Sequence, residues 1–172
     1  MKRLFILLLL VVTTLNASFS EDKFKAMIIG KVAKYVVWNK KESTPYFNIT
    51  ILNNPFGSTI DTIYHNKRID GKEVKIHYID TIDQLTQTQS DILYIPNSQA
   101  SQLQNILDTI KGKGIFTISD IRGFAQKGGM LQLYFISRKI KLKINLESVK
   151  EENLNIRSTL LRIAKVIKEE NE

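Results

Sequence analysis

From residue 22 onward the apolar positions switch between a spacing of three and four and an alternation of two. Phe24, Met27, Ile28, Val32, Tyr35 and Val36 follow the first spacing. That stripe predicts a helix that Asp22 can cap and that ends near Trp38-Asn39, ahead of Pro45. Gly30 interrupts it and weakens it by about 1 kcal/mol relative to alanine. "YFNITILN" is rich in β-branched and aromatic residues, "EVKIHYI" alternates, and "DILYIP" and "IFTIS" are almost wholly apolar. All four predict strands, the last two central in a sheet. "STIDTIYH" and "TIDQLTQ" predict short helices. "NSQASQLQNILDTIKGKG" predicts a longer one, capped by Asn97 or Ser98, striped by Leu103, Ile106, Leu107 and Ile110, and stopped by Gly112 and Gly114. "MLQLYFI" and "KIKLKIN" predict a hairpin turning at Ser137-Arg138, with Ile140, Leu142 and Ile144 inward and Lys139, Lys141 and Lys143 outward. "SVKEENLNI" reads as a turn region. "RSTLLRIAKVIKEENE" reads as a closing helix with Leu160, Leu161, Ala164 and Ile167 on one side and a fraying end.

Strands and helices therefore alternate through most of the chain. The pattern predicts an α/β fold: a mostly parallel central sheet with right-handed crossovers, helices on both faces and a C-terminal antiparallel hairpin at the edge. No repeat or low-complexity linker interrupts it, so residues 22–170 read as one domain. Ahead of it, "MKRLFILLLLVVTTLNA" carries Lys2 and Arg3, an apolar run from Leu4 to Val12, and a small residue at Ala17. That is the layout of a secretory signal peptide over residues 1–17, and it predicts a periplasmic mature protein. The run is shorter than the ~20 apolar residues that span a bilayer.

Composition changes this picture in two ways. The chain has 172 residues, 43% hydrophobic, and no cysteine, so the exported domain must rely on its core without disulfides. Its formal charge is +8 before cleavage removes Lys2 and Arg3. The basic residues are scattered over a strand face and near a helix end, at Lys165 and Lys168. No nucleic-acid motif accompanies them, so nucleic acid is not a predicted partner.

Candidate chemistry is sparse. With no cysteine there is no thiol nucleophile, and His65 and His77 lack a spaced metal-ligating partner. No Gly-x-Ser-x-Gly elbow, phosphate loop or dinucleotide fingerprint occurs. The densest passage is "FTISDIRGFAQKGGMLQLYF". Ser119-Asp120 could be half of a nucleophile–acid pair, but no histidine is near in sequence. The structural reading has Ser119 satisfying a backbone group and Asp120 capping the turn that carries Phe124. Gly128 and Gly129 then allow a left-handed turn. The carboxyl ends of the predicted strands present Asn53-Asn54, Asp80, Asn97-Ser98 and Ser119-Asp120. These residues suit a small polar ligand at a sheet edge, and each is also an ordinary helix cap.

"FTISDIRGFAQKGGMLQL" resembles the signature of the YfiR-like family of exported regulatory domains: strand, Ser119-Asp120, a segment with Phe124, then Gly128, Gly129 and Met130. "KVAKYVVWNKKESTPYFNITILNNPFG", "DILYIPNSQ", "KLKINLESV" with Asn145, and "NIRSTLLRIAKV" with Ser158, Leu160 and Leu161 match in order. The resemblance implies a periplasmic α/β domain, commonly homodimeric, with no catalytic residues, no metal and no cofactor. It implies binding to the periplasmic domain of an inner-membrane diguanylate cyclase, whose repression lowers cyclic-di-GMP and restrains biofilm formation. Other members feed histidine kinases, and the alternative the resemblance leaves open is a small-ligand sensor or input protein of that kind. On that reading Tyr35, Trp38, Arg138 and Arg162 are the expected partner anchors, since aromatic residues and arginine dominate interface energetics. The cysteine pairs of the best-known members are missing here, so a disulfide switch is excluded.

Overall fold

The structure is a computed structural model that describes residues 21–39 and 44–167. The predicted signal peptide, Lys168 and the "KEENE" end lie outside the described residues. The first helix, α1, covers residues 21–33. Its apolar stripe buries Ala26, Ile29, Val32 and Ala33 completely or nearly so. It ends sooner than its pattern suggests. Val36-Val37-Trp38 leaves the helix and forms a strand, β1 (Val36–Trp38), because its β-branched residues find a partner in β9 (Leu154–Ile156).

The main sheet is built from β2 (Tyr46–Leu52), β3 (Arg68–Ile69), β4 (Lys72–Ile79), β5 (Ile92–Ile95), β6 (Phe116–Ser119), β7 (Leu131–Ile136), β8 (Lys139–Asn145) and β10 (Lys165–Ile167). The spatial order is β10-β8-β7-β6-β5-β2-β4-β3. β4, β2, β5, β6 and β7 are parallel neighbours. Numbered along the chain they run 2-1-3-4-5, the doubly wound order in which ligands sit beyond the carboxyl ends of the strands. The antiparallel β7–β8 hairpin turns through Ser137 and Arg138, both with positive φ (48° and 61°). That geometry matches the right-handed twist of the paired strands.

Two apolar layers cover the sheet. On one face α1, α2 (Thr59–Tyr64) and α5 (Ser158–Ile163) bury Phe47, Ile49, Ile51, Ile92, Tyr94, Phe116, Ile118, Leu131 and Ile144. On the other, α3 (Leu103–Ile110) and two short 3-10 segments bury Leu52, Ile79, Leu93 and Ile95. The mostly parallel α/β class is thus as expected, with helices on both faces.

Several local expectations need correction. "TIDQLTQ" is a 3-10 turn (Ile82–Gln87) closed by a Thr81–Gln84 capping box. Asn97 and Ser98 lie inside another 3-10 segment (Asn97–Gln102), which Pro96 precedes, and neither caps it by side chain. "SVKEENLNI" holds a helix, α4 (Leu146–Glu151), followed by β9. The closing helix stops at Ile163, and Lys165–Ile167 pairs parallel with Lys143–Asn145. Lys165 is therefore a strand residue. Among the described residues no helix is long and apolar enough to cross a membrane.

Candidate functional site

Because β2, β4, β5 and β6 are parallel, the residues that follow them share one edge of the sheet. Asn53, Asp80, Asn97 and Ser119-Asp120 all lie there. Their polar groups are mostly used locally. Asn54 closes an Asx turn, its Oδ1 accepting from the Phe56 N–H (3.0 Å) and its Nδ2 donating to the Gly57 carbonyl (3.1 Å). Asn53 adopts a left-handed φ of 45° and its N–H donates to the Ile79 carbonyl (2.8 Å). The Asp80 N–H donates to Gln84 Oε1 (2.7 Å). Asn97 and Ser98 are exposed.

Ser119 and Asp120 part company. Ser119 is 0% exposed and its Oγ accepts from the Ile121 N–H (3.0 Å). Asp120 does not cap that turn. Its Oδ2 takes a 2.8 Å charge-assisted bond from Lys25 Nζ on α1, and Lys25 also lies 3.6 Å from Asp22. Burial pulls the Lys25 pKa down, but the hydrogen bond and charge of Asp120, with Asp22 and Glu21, outweigh it and hold it above the ordinary lysine value. Tyr94 points from β5 toward the same carboxylate and stacks at a tilt on Phe56, centroids 4.8 Å apart. Burial first, then Asp120 and Asp22, push its phenol pKa far up, so it stays a neutral donor. The cluster fastens α1 to the carboxyl edge. Neither histidine belongs to it: His65 is exposed after α2, and His77 bonds Asn48 Oδ1 (2.9 Å). Among the described residues no group of three acidic, histidine or cysteine side chains could hold a metal.

The rest of the dense passage is also accounted for by packing. Gly128 has a φ of 93°, the left-handed stop of a 3-10 turn (Ala125–Lys127). Gly129 has a different reason, since a Cβ there would drive into the ring of Phe124, which is 0% exposed. The Met130 N–H donates to Thr117 Oγ1 (3.0 Å) and its carbonyl accepts from the Asn145 N–H (2.9 Å). Asn145 joins three segments. Its Oδ1 caps α4 by accepting from the N–H groups of Glu147 (3.0 Å) and Ser148 (3.1 Å), while its Nδ2 donates to the Ala125 carbonyl (2.9 Å). Ser158 is exposed at the start of α5, and Leu161 packs half-buried on the core.

The four expected anchors sit on separate elements. Tyr35 and Trp38 are half-buried beside β1. The Tyr35 carbonyl accepts from the Arg157 N–H (2.8 Å). The Trp38 indole donates to the Asp91 carbonyl (3.3 Å) and meets Phe47 edge-on at 5.3 Å. Arg138 is exposed at the β7–β8 turn and Arg162 on α5. Sequence reasoning missed Lys25, Tyr94 and Asn48. Nothing in the chain ties Lys25 to a carboxylate 95 positions away.

Strand order defines an open, doubly wound α/β domain. Solved structures share that fold. A conserved domain protein from Vibrio cholerae O1 biovar El Tor strain N16961 matches with a TM-score of 0.59 and 12% identity, covering 86% of this chain and 60% of that one. The ABC domain from Streptococcus pneumonia, in complex with L-Trp, matches with a TM-score of 0.51 and 12% identity, covering 70% and 55%. This chain thus spans under two thirds of either structure. No curated protein matches it by sequence. The chain belongs to the YfiR/HmsC-like family, whose pattern matches residues 22–165. Membership suggests a periplasmic regulator, in a family known as regulatory rather than catalytic.

Proposed function

We propose that residues 1–17 direct export and are removed, and that the mature domain binds the periplasmic domain of an inner-membrane diguanylate cyclase and holds it inactive. The family match over residues 22–165 carries this reading. The local chemistry supports it: Ser119 is 0% exposed with its hydroxyl engaged, and Asp120 is held by Lys25, so the passage that looks most like a reaction centre has structural work instead. Regulation then follows from occupancy, and a signal acts by shifting the population between free and bound regulator.

The test is calorimetric titration of the mature chain against the periplasmic domains of the membrane diguanylate cyclases of its own organism, with cyclic-di-GMP measured in cells with and without the gene. Saturable binding and a rise in cyclic-di-GMP on deletion are expected. Binding only to the periplasmic domain of a histidine kinase would move the output to two-component signalling. Turnover of a small substrate without binding to either domain would overturn the reading.

A further inference from the structure

One cleft lies between α1 and the segment from α2 to β3. Its floor is apolar: Met27, Ile63, Tyr64 and Ile69. Its rim is basic: Lys31, Lys34, Lys67 and Arg68. None of the three lysines has a carboxylate partner among the described residues. Arg68 stands opposite Glu73 in the β3–β4 register, but its guanidinium reaches the Gly71 carbonyl (3.5 Å) instead. The volume is about 200 Å³, below the roughly 300–1,000 Å³ typical of small-molecule pockets. It is nearer the size that one large apolar side chain fills.

A second observation extends this surface. Phe24 is 53% exposed on the same helix. Phe24, Met27 and Lys31 are spaced by three and four, so they form one stripe along α1, and Lys34 follows directly after the helix end. An exposed ring, an apolar groove and unpaired ammonium groups thus run in line.

We propose that this stripe and groove receive an acidic amphipathic helix of the partner protein, one apolar residue seated in the groove and flanking carboxylates against Lys31, Lys34 and Lys67. The proposal rests on the regulatory reading above and names the surface it uses. Charge complementarity selects an acidic occupant. Shape selects a protein over a membrane, because interfacial anchoring wants protruding apolar side chains and this floor is concave. The groove is preformed: the Tyr64 hydroxyl accepts from the Gly30 N–H (2.6 Å) and donates to the Ala26 carbonyl (2.7 Å), which holds α2 against α1.

The experiment compares wild type, a Lys31→Glu/Lys67→Glu double variant, Phe24→Ala and, on the opposite face of the sheet, the control Lys111→Glu, each first shown to melt like wild type. The probes are the same cyclase periplasmic domains. The double variant and Phe24→Ala should each weaken binding by about tenfold or more at 0.15 M salt, with Lys111→Glu unchanged. Unchanged binding by both groove variants would overturn the proposal and leave the regulatory function standing. If no cyclase domain binds at all, that function falls. The groove is then judged by amide shifts with a synthetic helix of leucine and glutamate: shifts at Lys31, Lys34, Lys67 and Ile69 support it, and their absence ends it. Vesicles with anionic headgroups form the last arm. Binding to them that is lost in the double variant would make the surface a membrane site and overturn the proposal.

Discussion

Replacing Gly30 with alanine sets two effects of similar size against each other. In an ordinary helix interior the change stabilises by about 1 kcal/mol. Here the new Cβ would lie 2.5, 2.6 and 2.9 Å from Tyr64 Cε1, Oη and Cζ. Tyr64 is only 7% exposed, so its ring can retreat only by disturbing Ile60 and the sheet beneath. Overpacking of this kind costs about 1–3 kcal/mol. The ring's retreat also breaks its two hydroxyl bonds, at about 0.5–1.5 kcal/mol each, partly recovered when the Ala26 carbonyl and the residue-30 N–H rejoin directly. Weighed together, Gly30→Ala should destabilise the domain by about 2 kcal/mol. The assay is urea unfolding followed by fluorescence of Trp38, the only tryptophan, which is packed edge-on to Phe47. The midpoint should fall with the slope unchanged. In a Tyr64→Ala background the obstacle is gone, and the same substitution should raise stability by about 1 kcal/mol. A neutral or stabilising effect in the wild-type background, or the same sign in both, would refute the argument.

Other outcomes follow from the same geometry. Asn145→Ala removes a two-bond cap and a buried donor to Ala125, and should cost about 2–3 kcal/mol by chemical denaturation, while Asn145→Asp, which keeps the cap, should cost less. Asp120→Ala strands the half-buried Lys25 ammonium and should lower stability by about 2 kcal/mol without changing partner affinity. Because the folded-state pKa of Lys25 is raised, the stability this pair contributes is present below the usual lysine pKa of 10.5 and lost as pH climbs beyond it; Lys25→Met should flatten that alkaline loss. His77 runs the other way. Burial first, and Lys75 second, lower its pKa from 6.5, so its contribution is present above that value and lost as pH falls below it, which a His77→Gln variant should blunt in an acid titration.

What could be read from residues alone depended on how local the cause was. Ile92–Ile95 and Phe116–Ser119 announce themselves as central strands because burial on both faces leaves no polar alternation. The β7–β8 hairpin is legible for the opposite reason, since Lys139 and Lys141 mark an exposed face. Val36–Trp38 was misread because three residues fit a helical stripe as well as a strand, and only a partner far along the chain decides between them. β3 carried an unused signal: Asp70-Gly71, with φ of 49° and 78°, is a tight hairpin turn. The Lys25–Asp120–Tyr94 cluster had no local signal at all, because three elements meet there only after the sheet is wound. Gly129 was recognised as necessary for a turn, whereas its reason is the ring of Phe124.

The small antiparallel pair β1–β9 ties the segment leaving α1 to the segment entering α5, Val36 opposite Ile156 and Trp38 opposite Leu154. In a domain without cysteine it does the job of a buckle, joining early chain to late chain through a few backbone bonds. Such a fastening forms only after nearly the whole polypeptide has been delivered, and Val36 and Leu154 anchor it in the core. Because α1 runs straight into this buckle, loosening it frees the helix that carries Phe24 and Lys31. On the proposal that this helix receives the partner, a proteolytic nick that springs the clasp should weaken the grip on it.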